Sequence, residues 1–252
     1  MPLVHYAVDR AVTTLTLDSP ENRNALSSAL VGELREHLAT AAGDSDVRAV
    51  VLTHTGNTFC AGADLKEQSA EGGPAEGTRR MLDLLRAIVE LPKPVVARVD
   101  GHARAGGLGL IGACDIAVAG PASTFAFTEV RLGLAPAIIS LTTLGRMTER
   151  AAARYFLTGE TFDAAAAASG GLISLAADDV DAALVPILEA LRACSPQGLA
   201  ETKPLTTAAV LADFAAHADE VQALSARLFA SGEAREGMLA FLERRPPTWN
   251  RQ

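Results

Sequence analysis

Between Val4 and Leu17 apolar and polar residues alternate on either side of Asp9-Arg10, the period of two expected of a β-hairpin. The period then lengthens. From Ser27, a residue able to cap a helix, Leu30, Val31, Leu34 and Leu38 recur at helical spacing as far as Gly43-Asp44. Arg48 to Thr53 and Val95 to Val99 are short and largely apolar, the pattern of strands covered on both faces. Met81, Leu84, Leu85, Ile88 and Leu91 predict a helix over Arg79 to Leu91 that Pro92 ends. Ile116 to Ala119 and Thr124 to Phe127 read as strands around Gly120-Pro121, with helices following over Ile138 to Met147, Glu149 to Leu157 and Thr161 to Ala168, the last capped by Thr161. From Asp181 onward strand character is lost. Helices broken at Pro196 and near Pro204 are expected, and Leu224, Leu228, Met238, Leu239 and Leu242 form an apolar stripe suited to packing on the body or on another subunit.

Two strand-following turns are made of small residues: Ala61-Gly62-Ala63, and Gly106-Gly107 within Gly101 to Asp115 (GHARAGGLGLIGACD). Glycine lets backbone approach a ligand closely, and amides at the start of a helix over Leu108 to Ala113 sit at the positive end of its dipole. Two such turns could aim amides at one carbonyl oxygen, an oxyanion hole. Neither reads GxGxxG, so a dinucleotide site is not indicated, and Lys66 is not part of a P-loop. The Gly/Ala/Glu/Pro-rich stretch from Ser69 to Gly77 is expected to be a mobile loop beside the site.

Composition narrows the function classes. The 252 residues suffice for one sizeable core, and a net charge of −8 with pI near 5.2 argues against a nucleic-acid partner. Cys60, Cys114 and Cys194 are odd in number and widely spaced, so they read as reduced, packed thiols rather than a disulfide framework or metal site. No apolar run reaches the length of a membrane span and the first residues do not resemble a signal peptide, so a cytoplasmic protein is expected.

Glu129, in FAFTEVRLGL, is the acid/base candidate, since apolar neighbours would raise its pKa, with Arg131 placed to oppose the shift. The bland alternative is an exposed strand-end carboxylate. His54 and His102 read as packing or supporting residues, Arg104 as the partner of one of the excess acids, and Arg244-Arg245 as a solvated helix end.

TFCAGADLKE, GHARAGGLGLIGACDIAVAG and TFAFTEVRLGLAP, in that order and spacing, resemble the crotonase (enoyl-CoA hydratase/isomerase) superfamily. NALS at Asn24 to Ser27 and the closing SGEAREGMLAFLERRPPTW extend the likeness over nearly the whole chain. The resemblance implies an α/β fold, a crotonase-like spiral of ββα units over residues 1–195 holding an acyl-CoA site, with residues 196–252 as a helical assembly region. It implies an acyl-CoA thioester substrate, coenzyme A only as part of that substrate with no separate cofactor or metal, and a homotrimer or dimer of trimers. The amides of Ala63 and Gly106 would form the oxyanion hole, with Ala61, Lys66 and Gly109 on the substrate, and Phe241 with Arg244 or Arg245 reaching coenzyme A across a subunit boundary. The family's two-carboxylate hydratases carry their first glutamate three residues after the oxyanion-hole glycine, and here that position is Gly109. The second corresponds to Glu129. One carboxylate suffices to move a double bond between the 3 and 2 positions, whereas hydration also needs a held water. Hydratase-like sequence around ARAGG and APAIIS nevertheless places 2-enoyl-CoA hydration first, with isomerisation or hydratase-lyase chemistry as the alternative and acyl-CoA binding without turnover as a third.

Overall fold

The computed structural model describes residues 1–68 and 74–250, apart from the side chains of Lys66, Gln68 and Pro74. β1 (Val4–Asp9) and β2 (Val12–Leu17) form the expected antiparallel hairpin. Helix α1 (Ser28–Gly43) starts where Ser27 accepts the Leu30 amide, buries Leu30, Val31, Leu34 and Leu38, and returns the chain to β3 (Ala49–His54), parallel to β2. A unit of long strand, short strand and helix then repeats. β4 (Thr58–Cys60) leads to α2 (Leu65–Gln68) and α3 (Pro74–Glu90). β5 (Val95–Val99) and β6 (His102–Arg104) lead to α4 (Gly106–Ala113). β7 (Ile116–Ala119) and β8 (Thr124–Ala126) lead through a 3₁₀ turn at Thr128–Leu132 to α5 (Ala137–Thr143). α6 (Glu149–Thr158), β9 (Phe162–Asp163), α7 (Ala164–Ser169) and β10 (Leu175–Ala176) precede α8 (Val180–Ala193), α9 (Pro196–Phe229) and α10 (Gly232–Leu242).

The longer strands build a six-stranded sheet in the order β1-β2-β3-β5-β7-β10, and the short ones a four-stranded sheet in the order β4-β6-β8-β9. This is the ββα spiral. One face of the large sheet carries Val12, Val51, Val96 and Val118 against Val180 and Leu184 of α8. The other packs on α1, α3 and α4 through Leu15, Leu17, Val50, Leu52, Leu30, Leu84 and Leu108. Burial on both faces explains the continuous apolar runs of β3 and β5.

The structure departs from the sequence reading in places. β7 and β8, read as flanking one turn, lie in different sheets. Thr161 is not a cap: Phe162–Asp163 pairs with β8, and Asp163 caps α7 by accepting the Ala166 amide at 2.8 Å. α5 ends at Thr143, before the turn at Leu144–Met147. α9 runs unbroken through Pro204, whose exposed position leaves the buried stripe of Lys203, Thr207, Val210, Phe214 and Ala218 intact. Ser195 caps it, accepting the Gly198 amide. The Ser69 to Gly77 loop lies partly outside the described residues, and α3 already begins at Pro74. Cys60 and Cys114 are buried as expected, but Cys194 is exposed. Among the described residues no helix is long and apolar enough to cross a membrane.

Candidate active site

The segment after β4 is held by the segment before α1. Ala61 donates its amide to Arg23 O (3.0 Å) and Leu26 donates to Gly62 O (2.8 Å). Asn22 Nδ2 donates to Asp64 Oδ2 at 2.7 Å, while Glu67 accepts the Ser28 amide at 2.7 Å and the Ser28 hydroxyl in a shorter contact. Asn24, fully buried, ties the same segment to Thr55 O and Thr58 O. The NALS region thus serves as a template for the Ala61-Gly62-Ala63 turn. The Ala63 amide itself has no acceptor among the described residues.

The second turn meets the first edge to edge. A Cβ on Gly62 would stand 3.3 Å from Gly106 N and 2.9 Å from Ala105 Cβ, so only glycine permits this approach. Ala105 holds φ 47°, ψ −118°, a conformation normally left to glycine, and α4 begins directly after it. No side chain caps α4, and the Gly106 amide has no acceptor among the described residues.

Ala61, Ala63, Ala105 and Gly106 line one cavity with Glu129; apolar Leu26, Val31, Met81, Leu134, Ile138, Ile139 and Phe229 form much of the rest of its wall, with polar Thr78, Arg80 and Ser225. Glu129 reaches it from the 3₁₀ turn after β8, which Gly133 ends at φ 73°. Its Oε2 is buried without a hydrogen-bond partner, and burial pushes the carboxyl up to about 7, opposed only by its own backbone amide. Arg131 does not oppose it, since its Nε donates to Thr158 O, 3.3 Å away. Asp64 and Glu67 also line the cavity, but both are engaged by Asn22 and Ser28. The backbone of α10 supports the Glu129 turn: a Cβ on Gly133 would lie 2.7 Å from the Glu233 carbonyl carbon, and one on Gly237 would collide with Leu132 O.

Gly109 is buried in the second turn of α4, under α5. A Cβ there would stand 2.5 Å from Ile139 Cγ2, 3.0 Å from Ile139 Cβ and 3.3 Å from Met81 Cε. One turn on, a Cβ at Gly112 would lie 2.6 Å from Thr142 O, and Thr142 Oγ1 donates to Gly109 O at 3.0 Å. The two helices therefore cross on a glycine face. The position that could have carried a second carboxylate is closed by hydrocarbon.

Those of the other sequence candidates whose side chains the structure describes fall outside this cluster. Lys66 sits in α2 with its side chain outside the described residues. His54 is a supporting residue: Nε2 accepts the Asp100 amide at 3.2 Å, Nδ1 faces Thr55 O, and burial lowers its pKa. His102 Nδ1 bonds Thr124 Oγ1. Arg104, expected to pair with an acid, has no acidic partner among the described residues and donates instead to Ala103 O, Thr124 O and Thr124 Oγ1. Arg244 is exposed just past the end of α10, as expected of a solvated helix end, whereas half-buried Arg245 grips Glu236 with two bonds of 2.7 and 2.9 Å. Cys60 and Cys114 are pushed up to about 12 by burial, which keeps both thiols protonated and non-nucleophilic. The sequence reading missed the strained Ala105 and the Ile139 contact. A non-glycine residue before a Gly-Gly turn gave no sign of positive φ, and periodicity does not show which helix crosses α4.

The family described as enoyl-CoA hydratase/isomerase matches residues 7–252. A solved enoyl-CoA hydratase from Mycobacterium avium is 57% identical with a TM-score of 0.92, covering 98% of this chain and 99% of that one. An enoyl-CoA hydratase/isomerase from Pseudoalteromonas atlantica is 30% identical with a TM-score of 0.86, covering 97% and 98%. Among curated relatives, the zebrafish (Danio rerio) mitochondrial enoyl-CoA hydratase domain-containing protein 3 is 32% identical over 256 residues, 95% of this chain and 84% of the relative. With its ββα spiral and likeness sustained over the chain's length, the protein belongs to the enoyl-CoA hydratase/isomerase family, within the crotonase superfamily.

Proposed function

We propose that this chain is an acyl-CoA enzyme that stabilises a thioester enolate, with the Ala63 and Gly106 amides as oxyanion hole and Glu129 as its single proton carrier. Of the family's reactions, the geometry best supports the shift of a double bond between the 3 and 2 positions of an enoyl-CoA. The observation that carries this is the pairing of one buried carboxyl, whose Oε2 has no hydrogen-bond partner among the described residues, with two unengaged amides in one cavity, while Gly109 supplies no second acid. Glu129 takes a proton from C2 of a 3-enoyl thioester. The C–H electron pair becomes the C1–C2 π bond and the carbonyl π pair moves to oxygen, where the two amides hold it. On return the carbonyl re-forms, C4 takes the proton back from Glu129, and the double bond lies between C2 and C3. No external electron acceptor is needed.

Hydration of 2-enoyl-CoA is the second reading, supported by the names of the relatives. Lys66 is proposed to lie near coenzyme A. Exposed Leu239, Phe241, Leu242 and Trp249 fit a trimer interface, or a dimer of trimers, in which Phe241 and Arg244 approach a neighbour's site. The test is an enoyl-CoA panel assayed separately for isomerisation and hydration. 3-Hexenoyl-CoA is expected to give 2-hexenoyl-CoA in a Glu129-dependent manner, with little water added to crotonyl-CoA. Rapid hydration of crotonyl-CoA would favour the second reading, and thermal stabilisation by CoA esters without turnover would indicate binding alone.

A further inference from the structure

We propose that Ile139 determines which reaction this site performs, by walling the cavity with hydrocarbon where a side chain at residue 109 would otherwise stand. The inference deepens the enolate-forming reading of the site and rests on it. Ile139 is 4% exposed and lines the same cavity as Glu129. Its Cγ2 and Cβ stand 2.5 and 3.0 Å from the place a Cβ on Gly109 would take, so the missing side chain leaves no cavity. The wall is also fixed. Thr142 Oγ1 donates to Gly109 O at 3.0 Å and to Ile139 O at 3.2 Å, and Thr143 Oγ1 donates to Ile139 O at 2.7 Å, so α5 is pinned onto α4 at this residue. A β-branched side chain on a helix has essentially one χ1 state, which leaves little room for it to swing aside.

The consequence concerns water. A water held inside a protein needs two to four polar partners. At residue 109 the wall is Ile139 and Met81 and offers none; of the polar residues that line the cavity, Asp64 and Glu67 are engaged by Asn22 and Ser28, and Thr78, Arg80 and Ser225 are not among the atoms nearest a Cβ at residue 109. Hydration requires a positioned water, whose oxygen bonds to C3 while a proton is delivered to C2. Isomerisation requires none, because the proton Glu129 removes from C2 is the one it returns to C4. An apolar wall therefore suppresses addition and leaves proton return as the available outcome.

The test compares wild type with Ile139→Val, Ile139→Thr and Ile139→Ala, following isomerisation of 3-hexenoyl-CoA, hydration of crotonyl-CoA, and loss of deuterium from C2 of 3-hexenoyl-CoA labelled there, with its arrival at C4. Val and Thr are nearly equal in shape, so a folding defect common to both cancels and the added hydroxyl is what differs. The ratio of hydration to isomerisation is expected to rise by about tenfold or more in Ile139→Thr and Ile139→Ala, and to stay within about twofold of wild type in Ile139→Val. Loss of deuterium from C2 with an unchanged ratio in the Thr variant overturns this proposal alone. Full retention of deuterium at C2 by wild type overturns the enolate reading and this proposal with it.

Discussion

Lys203 Nζ lies 2.9 Å from Asp115 Oδ2, with the lysine side chain 4% exposed and the aspartate 14%. The ammonium also donates to Ile88 O (2.9 Å) and Lys93 O (3.0 Å), and Asp115 Oδ2 accepts the Val95 amide at 2.7 Å. One charge therefore joins α9 to the end of α3, the start of β5 and the end of α4. Burial lowers the Lys203 pKa while Asp115 raises it, so the pair survives by mutual satisfaction rather than solvation. Lys203→Met leaves Asp115 charged and two carbonyls without this donor, a class of change that costs about 3–5 kcal/mol. The expected result is a large drop in denaturation midpoint. The double variant Lys203→Met/Asp115→Asn should recover part of it, which a double-mutant cycle by urea titration measures.

Gly237 faces Leu132 O so closely that a methyl group there has no room, and Gly133, across the same contact, meets the Glu233 backbone. Because this contact backs the turn that carries Glu129, Gly237→Ala is expected to push that turn away from α10. Overpacking of this kind costs about 1–3 kcal/mol of stability. In addition kcat should fall with KM little changed, since the proton carrier moves while the amides of Ala63 and Gly106 do not. Steady-state kinetics together with thermal unfolding separate the two effects, and a variant with full kcat would show that the turn tolerates the shift.

How far the chain was legible follows from the physics of each element. β3 and β5 were readable because sheet burial on both faces demands continuous apolar residues, and α1 because its cap and stripe are local. β6 and β9 were not, because strands of three and two residues have no period to detect. Pro204 was read as a break because a proline lacks a donor, but on the exposed side of a 34-residue helix, packed elsewhere along its length, it is tolerated. Lys203 and Asp115 were invisible for a related reason: a charged residue reads as surface unless its partner, far along the chain, is known. At the site, the small residues Ala61, Ala63, Gly106 and Gly109 and the carboxylate Glu129 were all named from the sequence. What fills the space beside Gly109 depends on a helix crossing that no local pattern encodes.

Ala105 sits at φ 47°, ψ −118° immediately before Gly106, and such a conformation in a residue with a Cβ costs about 1–3 kcal/mol. Ala105→Gly relieves that strain and is expected to raise the melting temperature despite the more flexible unfolded chain. The same change loosens the peptide that aims the Gly106 amide, so kcat should fall severalfold. A stabilised variant with reduced turnover is the signature sought. If activity is unchanged, the alanine is merely tolerated at this position.

The Glu129 carboxyl, raised from 4.5 to about 7 by burial, links stability and catalysis in opposite directions. The raised value means the folded state holds its proton more tightly than the unfolded one. The stabilising effect of that proton is fully present below about pH 4.5 and is lost as pH rises through 7. Above pH 7 the buried carboxylate is a burden of about 3 kcal/mol, since each tenfold gain in proton affinity corresponds to ~1.4 kcal/mol. Glu129→Gln, neutral at every pH, should therefore be more stable than wild type at pH 8 and no more stable at pH 4, a crossing that thermal unfolding across the pH range detects. Catalysis needs the ionised form, so wild-type kcat/KM should climb about tenfold for each step of one in pH on the acid side and level off above a midpoint near 7. A midpoint near 4.5 would mean that the carboxyl is solvated in the working enzyme, and that hydrocarbon burial does not set its proton affinity.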